Sequence, residues 1–338
     1  MTDAPAAGPH MTGKDRPIME MSGVSVRFPV GGRTLTAVDD VSLALYRGQT
    51  LALVGESGSG KSTAATALMR ATSPQTGRIT FDGRDITHMP ERRLRPLRRH
   101  FQMILQDPYA SLDPRMTVDR IVAEPLRAHG FGTREQIRAR VAEVLGQVGL
   151  PESAAGRYPA QFSGGQRQRI SIARALAARP SVIVADEPVS ALDVSIQAQI
   201  VNLLGEVQRT DDLAFLLIAH DLSLVHHISD RVVVLYLGRV LEEGPTTSVV
   251  ASPQHPYTAA LLSATPTTDE RPRERIVLSG DPPSPIDRPS GCVFHTRCPV
   301  ARDVCATDVP PLTVSGERSV ACFFPGEVDS GLGLEEAR

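Results

Sequence analysis

A glycine-rich octapeptide set between an apolar run and a helix-forming run constrains this chain more than any other feature. Leu51–Val54 is continuously apolar, as strands buried on both faces of a parallel sheet are. Gly55-Glu56-Ser57-Gly58-Ser59-Gly60-Lys61-Ser62 follows at once, and Lys61–Met69 has a helix-compatible composition. The octapeptide fits G-x4-G-K-[ST] in full. In such a turn successive backbone N–H groups form an anion nest, and the following helix adds its positive N-terminal end. Glycine lets a phosphate approach the backbone closely. Lys61 would reach the β- and γ-phosphates, and the Ser62 hydroxyl would bind Mg2+.

A second run, Val182-Ile183-Val184-Ala185, ends in the acids Asp186 and Glu187. The carboxyl end of a parallel strand is where α/β sheets bind ligands. Asp186 is there a candidate Mg2+ ligand, and Glu187, one residue on, a candidate to polarise an attacking water. Further strands are predicted over Met21–Phe28, Ala37–Leu45, Leu213–Ala219 and Arg231–Leu237. The stretch from Val118 to Ala178 reads as mostly helical, punctuated at Gly130, Pro151 and Pro180, and the run Ala191–Arg209 as an amphipathic helix.

The 338 residues leave room for more than one domain, and the net charge of −2 supplies no general pull toward nucleic acid or an anionic membrane. The basic run Arg92–Arg99 reads as a solvated helix face. No apolar run approaches the roughly 18 residues of a membrane-spanning helix. Met1–Ile18 lacks an apolar secretory core and reads as a disordered tail. Lysine occurs only at Lys14 and Lys61, so positive charge is otherwise arginine.

With the phosphate loop in place, other segments carry a family resemblance. Gln161-Phe162-Ser163-Gly164-Gly165-Gln166-Arg167-Gln168-Arg169 resembles the signature motif of ATP-binding-cassette (ABC) ATPases, with phenylalanine where leucine is commoner. Ile104-Leu105-Gln106-Asp107-Pro108 resembles the family's Q-loop, Ser190-Ala191-Leu192-Asp193 its D-loop, and Ile218-Ala219-His220-Asp221 its switch-histidine motif. The resemblance implies an α/β, RecA-like nucleotide-binding domain over 19–245, with an antiparallel β subdomain and a helical signature subdomain near 107–180. It implies that ATP and Mg2+ rest on Gly55, Ser57, Gly58, Ser59, Gly60, Lys61, Ser62 and Thr63. It makes Glu187 the catalytic base, His220 a γ-phosphate contact and Gln106 a sensor of Mg2+ and the attacking water. Ser62, Gln106 and Asp186 would hold the metal. Two such subunits would face head to tail, with Ser163, Gly164, Gly165 and Gln166 of one closing on the nucleotide of the other and Asp193 communicating across the pair. Phe28 is the candidate to stack on adenine, although it reads equally as a core strand residue.

After Gly244 proline becomes dense, which excludes long helices and central strands. The expected boundary lies at 245/246, with an extension over 246–325 and a mobile tail over 326–338. His255-Pro256-Tyr257-Thr258-Ala259-Ala260-Leu261-Leu262 resembles the C-terminal extension of oligopeptide and dipeptide importer ATPases, as do Gly280–Pro285 and Gly291–Pro299. Gln106–Pro114 is similar to the Q-loop region of the second of the two ATPase subunits such importers carry. The resemblance implies a partner ATPase, two transmembrane permeases, an extracytoplasmic peptide-binding protein and a place on the cytoplasmic face of the membrane. Importers of nickel, glutathione or opines share much of this pattern, whereas ABC ATPases of DNA repair or translation carry coiled-coil insertions or second cassettes that have no counterpart here.

All four cysteines, Cys292, Cys298, Cys305 and Cys322, lie in this extension, spaced C-x5-C-x6-C-x16-C. Four thiols in a loop-rich segment suit a Zn2+ site or an iron–sulfur cluster, although the spacings exceed those of common zinc knuckles. The resemblance to the importer group favours a 4Fe-4S cluster of structural role, with zinc or free buried thiols as the alternatives.

Overall fold

The computed structural model describes residues 16–327 apart from 191, 221, 265–275 and 279. The expected tails at 1–18 and 326–338, and Ala191 and Asp221 of the D-loop and switch motifs, therefore lie wholly or largely outside the described residues. Twelve strands form two sheets among the described residues: β1 (Met19–Val30), β2 (Arg33–Leu45), β3 (Thr50–Val54), β4 (Thr76–Phe81), β5 (Arg84–Asp85), β6 (Phe101–Ile104), β7 (Val182–Asp186), β8 (Ala214–Ala219), β9 (Arg231–Tyr236), β10 (Arg239–Pro245), β11 (Thr313–Ser315) and β12 (Arg318–Val320). The smaller sheet is antiparallel, in the order β2-β1-β4-β5. The larger runs β11-β12-β10-β9-β3-β8-β7-β6, parallel from β9 to β6 and antiparallel from β9 outward to β11.

Period-two alternation explains why the parallel strands read as unbroken apolar runs. Leu51 and Leu53 of β3, Val182 and Val184 of β7, and Leu216 and Ile218 of β8 face a core shared with the small sheet and the helix Lys61–Leu68. Ile183, Ala185, Phe215 and Leu217 point the other way, into a core built with the helices Val118–Val122, Glu124–Ala128, Arg134–Gln147 and Gly164–Ala177. Ala52, Val54, Val232 and Val234 face a third core, formed with Tyr257, Leu262, Val293 and Phe294 of the extension. The helical subdomain and the extension thus cover different stretches of the large sheet.

The region expected to be mostly helical, with punctuation at Gly130 and Pro151, is divided into several helices by identifiable breaks. Pro125 opens Glu124–Ala128, Gly130 and Gly132 take positive φ, and a Thr133–Gln136 capping box restarts the chain at Arg134. No helix among the described residues is long and apolar enough to cross a membrane.

The extension does not stand apart from the ATPase region. β12 pairs with β10 through Glu242↔Val320 and Glu243↔Ser319, so the β11–β12 hairpin continues the large sheet. Three-residue strands at an edge are what a proline-dense segment can supply. The fully buried carboxylate of Glu242 fastens this junction. It accepts the backbone N–H groups of Gln254 and His255, each at 2.9 Å, and the Arg318 guanidinium at 2.5 Å. Removing the guanidinium would leave a buried anion without its cation. Arg318→Met is expected to destabilise the chain by about 3 kcal/mol, seen as a lower urea midpoint, whereas Arg318→Lys should lose less. A midpoint unchanged in Arg318→Met would refute the fastening role.

Candidate nucleotide site

The parallel registers decide which residues meet. Val54 lies opposite Ala219 on one side and Val234 on the other, and Asp186 lies opposite Ile218. Residues immediately after β3, β7 and β8 therefore emerge along one edge: the phosphate loop, Glu187 and His220. Gly55 and Gly60 close the loop against backbone. A Cβ on Gly55 (φ +154°) would stand 2.2 Å from the Leu235 carbonyl oxygen, and one on Gly60 (φ +103°) 2.2 Å from that of Ala37. No other residue type fits either position. Ser57 and Gly58 are exposed, Ser59 is buried, and Thr63 is half-buried on the following helix.

Lys61 is almost wholly buried, and its Nζ donates to the carbonyls of Gly55 (2.7 Å) and Glu56 (2.9 Å). Burial draws its ammonium below the ordinary lysine range, against the opposing pull of Glu187, Asp186 and Glu56. Ser62 Oγ donates to Asp186 Oδ1 at 3.2 Å. Burial raises the Asp186 carboxyl above the usual range; the Ser62 hydrogen bond and Lys61 lower it, while Glu187 adds to the rise. The site therefore holds excess negative charge beside hard oxygen donors, the environment a divalent cation would relieve. Gln106 Nε2 donates to Glu187 Oε2 at 2.8 Å. Glu187 has a left-handed backbone, φ +44°, and its N–H donates to the Ile218 carbonyl at 3.1 Å. Such a conformation in a non-glycine residue costs about 1 kcal/mol or more and turns the chain sharply out of β7.

The structure thus brings Gln106, Glu187, Asp186, Ser62 and Lys61 into one linked group. His220 follows β8 and is exposed. Phe28 is half exposed on β1 opposite Leu35, two residues before the Ala37 that contacts Gly60. The signature residues lie elsewhere, at the exposed start of Gly164–Ala177. Ser163 caps this helix in a reciprocal pair: its N–H donates to Gln166 Oε1 at 3.1 Å, and Gln166 N–H donates to Ser163 Oγ at 3.4 Å. Gly165 packs under Ile196, where a Cβ would stand 2.5 Å from that side chain. Asp193 opens the helix Val194–Asp211 without capping it, and the next residue, Val194, is 82% exposed.

Two further residues touch the loop, and sequence reasoning assigned them no role. The Glu56 N–H donates to Tyr257 Oη at 2.8 Å, and Arg297 Nη1 donates to Glu56 Oε2 at 2.8 Å. Both come from the extension. His255 caps the helix Pro256–Ser263 by accepting the Tyr257 N–H on Nδ1 at 3.0 Å, and burial drives its pKa down to about 3, so it stays neutral. The sequence signal was available in His255-Pro256-Tyr257 and Thr296-Arg297-Cys298, but nothing there names the loop as their target.

All four cysteines are free and border one narrow cavity of about 10 Å3. Burial raises the thiols of Cys292, Cys298 and Cys322, Cys298 to about 11, and neighbouring cysteines add to each rise. Among the described residues no group of three or more His, Cys, Asp or Glu side chains is arranged to hold a metal ion. The donor type and shared cavity suit a soft metal, whereas the packed arrangement is that of four thiols.

Known proteins match this chain in both regions. Residues 38–190 match the ABC transporter family, and residues 241–305 the oligopeptide/dipeptide transporter C-terminal region. The oligopeptide transport ATP-binding protein AppF of Bacillus subtilis is 51% identical over 319 residues, covering 91% of this chain and 97% of AppF. Among solved structures, the dimeric ATP-binding cassette MJ0796 in a post-hydrolysis state bound to ADP and Pi superposes with TM-score 0.62 at 30% identity, covering 68% of this chain and 98% of that one. CbiO1 of Clostridium perfringens, part of the transporter complex cbiONQ, gives TM-score 0.63 at 28% identity, covering 70% and 91%. The chain belongs to the ATP-binding proteins of ABC transporters, in the group that carries the oligopeptide/dipeptide C-terminal region.

Asp186→Asn isolates the electrostatic state of the site. The raised carboxyl pKa means the folded chain pays a penalty for the charge above that pKa, relieved as pH falls through it. In the nucleotide-free protein the variant is expected to melt no lower than wild type at pH 7.5, with any advantage disappearing on acidification. Calorimetry against pH checks this; a lower melting temperature at pH 7.5 would contradict it.

Proposed function

We propose that this chain is the ATP-hydrolysing subunit of a peptide importer. The observation that carries it is the grouping of Lys61, Ser62, Asp186, Glu187 and Gln106 at one sheet edge, joined to an extension of the oligopeptide/dipeptide type. The group orders its roles by position. The loop N–H groups and Lys61, drawn from its resting carbonyls, bind the phosphates of ATP. Ser62, Asp186 and Gln106 would hold Mg2+, which when bound screens the charge on the phosphates. Glu187 sits where the strand turns out of the sheet, and its hydrogen bond from Gln106 fixes its carboxylate. It orients and deprotonates the attacking water. His220 approaches the γ-phosphate from the next strand, and Phe28 supports the adenine.

The signature is a second, exposed anion-binding end on a different face. It serves a nucleotide on a partner, so the working unit is a head-to-tail pair, here with a related second ATPase subunit. MJ0796, which shares the fold at 30% identity, is itself dimeric in the structure bound to ADP and Pi. The exposed Val194 beside Asp193 suits contact across that pair. Two permeases carry the solute path, an extracytoplasmic binding protein delivers the peptide, and the chain works at the cytoplasmic membrane face. AppF, named for oligopeptide transport, supports the peptide over nickel, glutathione or opines. The four cysteines would be the ligands of a 4Fe-4S cluster, with Zn2+ the alternative occupant; that all four border one cavity supports this reading.

Purified with its permeases and binding protein in proteoliposomes, the complex should take up peptide only with ATP; ATP-independent uptake, or uptake of nickel and no peptide, would overturn the reading. Glu187→Gln is expected to keep ATP affinity and abolish turnover, whereas Lys61→Ala should weaken binding itself. Anaerobically purified chain should contain iron and acid-labile sulfide, both lost in Cys298→Ser; stoichiometric zinc without iron would select the alternative.

A further inference from the structure

Glu56 has three polar groups, and each makes a different connection. Its carbonyl accepts the Lys61 ammonium at 2.9 Å. Its N–H donates to Tyr257 Oη at 2.8 Å. Its carboxylate accepts Arg297 Nη1 at 2.8 Å. Two of the three anchors lie more than 200 positions away in sequence, in the extension. The anchors are themselves fixed. Tyr257 is fully buried, with its ring centroid 4.7 Å from that of Tyr236 and 5.3 Å from that of Phe294. Arg297 is 8% exposed, and its Nη1 also reaches Tyr236 Oη at 3.4 Å. Burial works against the Arg297 charge, but the bonds to Glu56 and Tyr236 outweigh it and hold the guanidinium protonated.

A phosphate loop binds in proportion to how nearly its peptide planes are already arranged for the anion. Lys61 holds the carbonyls of two successive peptide planes, Gly55–Glu56 and Glu56–Ser57, and side chains of the extension clamp the residue that joins them, Tyr257 at its amide and Arg297 at its carboxylate. We propose that Tyr257 and Arg297 are positioning residues for the phosphate-binding loop, so that the extension sets nucleotide affinity through Glu56. The inference rests on the reading of Gly55–Thr63 as an ATP site and adds to it a control point outside the ATPase motifs. The connection passes close to the cysteines. Arg297 adjoins Cys298, and Phe294, which packs on Tyr257, lies between Cys292 and Cys298.

A double-mutant cycle on the full chain tests it, with ATP affinity measured by titration calorimetry and the ATPase rate of the assembled importer complex recorded alongside. Glu56→Gln and Arg297→Gln are each expected to weaken ATP binding about fivefold to tenfold. The double variant should be no weaker than the worse single, because both remove one contact. Tyr257→Phe keeps the ring packing and removes only the hydroxyl; it should raise KM severalfold with kcat within about twofold. Arg297→Lys should recover part of the affinity. Melting temperatures identify any variant that fails to fold, and Tyr257→Phe then carries the test alone. Losses that multiply in the double variant would overturn the proposal, as would wild-type affinity in Arg297→Gln or in well-folded Tyr257→Phe. Absence of ATP binding by the unsubstituted chain would instead overturn the nucleotide reading, and the proposal with it.

Discussion

The parallel pairing of β3 between β9 and β8 is the constraint from which the rest of the molecule follows. It buries both faces of β3, so the strand must be apolar throughout, and it forces the chain to leave the sheet at the edge where β7 and β8 also end. A slip of one residue would exchange the faces of β3, sending Leu51 and Leu53 into the core meant for Ala52 and Val54. It would also move Lys61 away from the carboxylates that it faces. Position of the loop and integrity of the core are therefore one specification.

The extension belongs to the same specification. Its hairpin completes the β10 edge, its helix and aromatic residues supply the third core, and its Tyr257 and Arg297 reach the loop directly. Chain that follows the last ATPase motif thus closes a sheet edge which would otherwise present unpaired backbone groups. The buried Glu242 carboxylate shows the degree of commitment. An anion with no exposure is tolerable only because three donors from two segments, the adjacent amides of Gln254 and His255 and the Arg318 guanidinium, converge on it.

The loop, its strand and the acidic strand end were legible because each depends on local pattern: continuous apolar residues, glycine spacing and charge at the strand exit. Asp186 and Ser62, 124 positions apart, were joined in the sequence only by their shared candidacy for Mg2+, and Gln106 meeting Glu187, 81 positions away, was legible only through resemblance, since such pairs leave no periodic trace. Tyr257 and Arg297 were not legible as loop contacts. In isolation a tyrosine after proline reads as helix packing, and an arginine beside cysteine as surface charge. What gives them meaning is the Glu56 peptide, and only the folded chain puts it beside them. The break-up of the helical region followed from glycine and proline positions that were visible, but local signals do not state how many turns survive between them.

Lys61 carries one more consequence. The chain has two lysines, and this one sits buried with its ammonium spent on two carbonyls of its own loop. Its amine is a poor nucleophile while held there, and any event that straightens the side chain changes its reactivity. In a chain that otherwise relies on arginine, amine acylation has few competing targets. The rate at which Lys61 takes up an acyl label is therefore a gauge of the loop's state, readable by mass without substituting any residue.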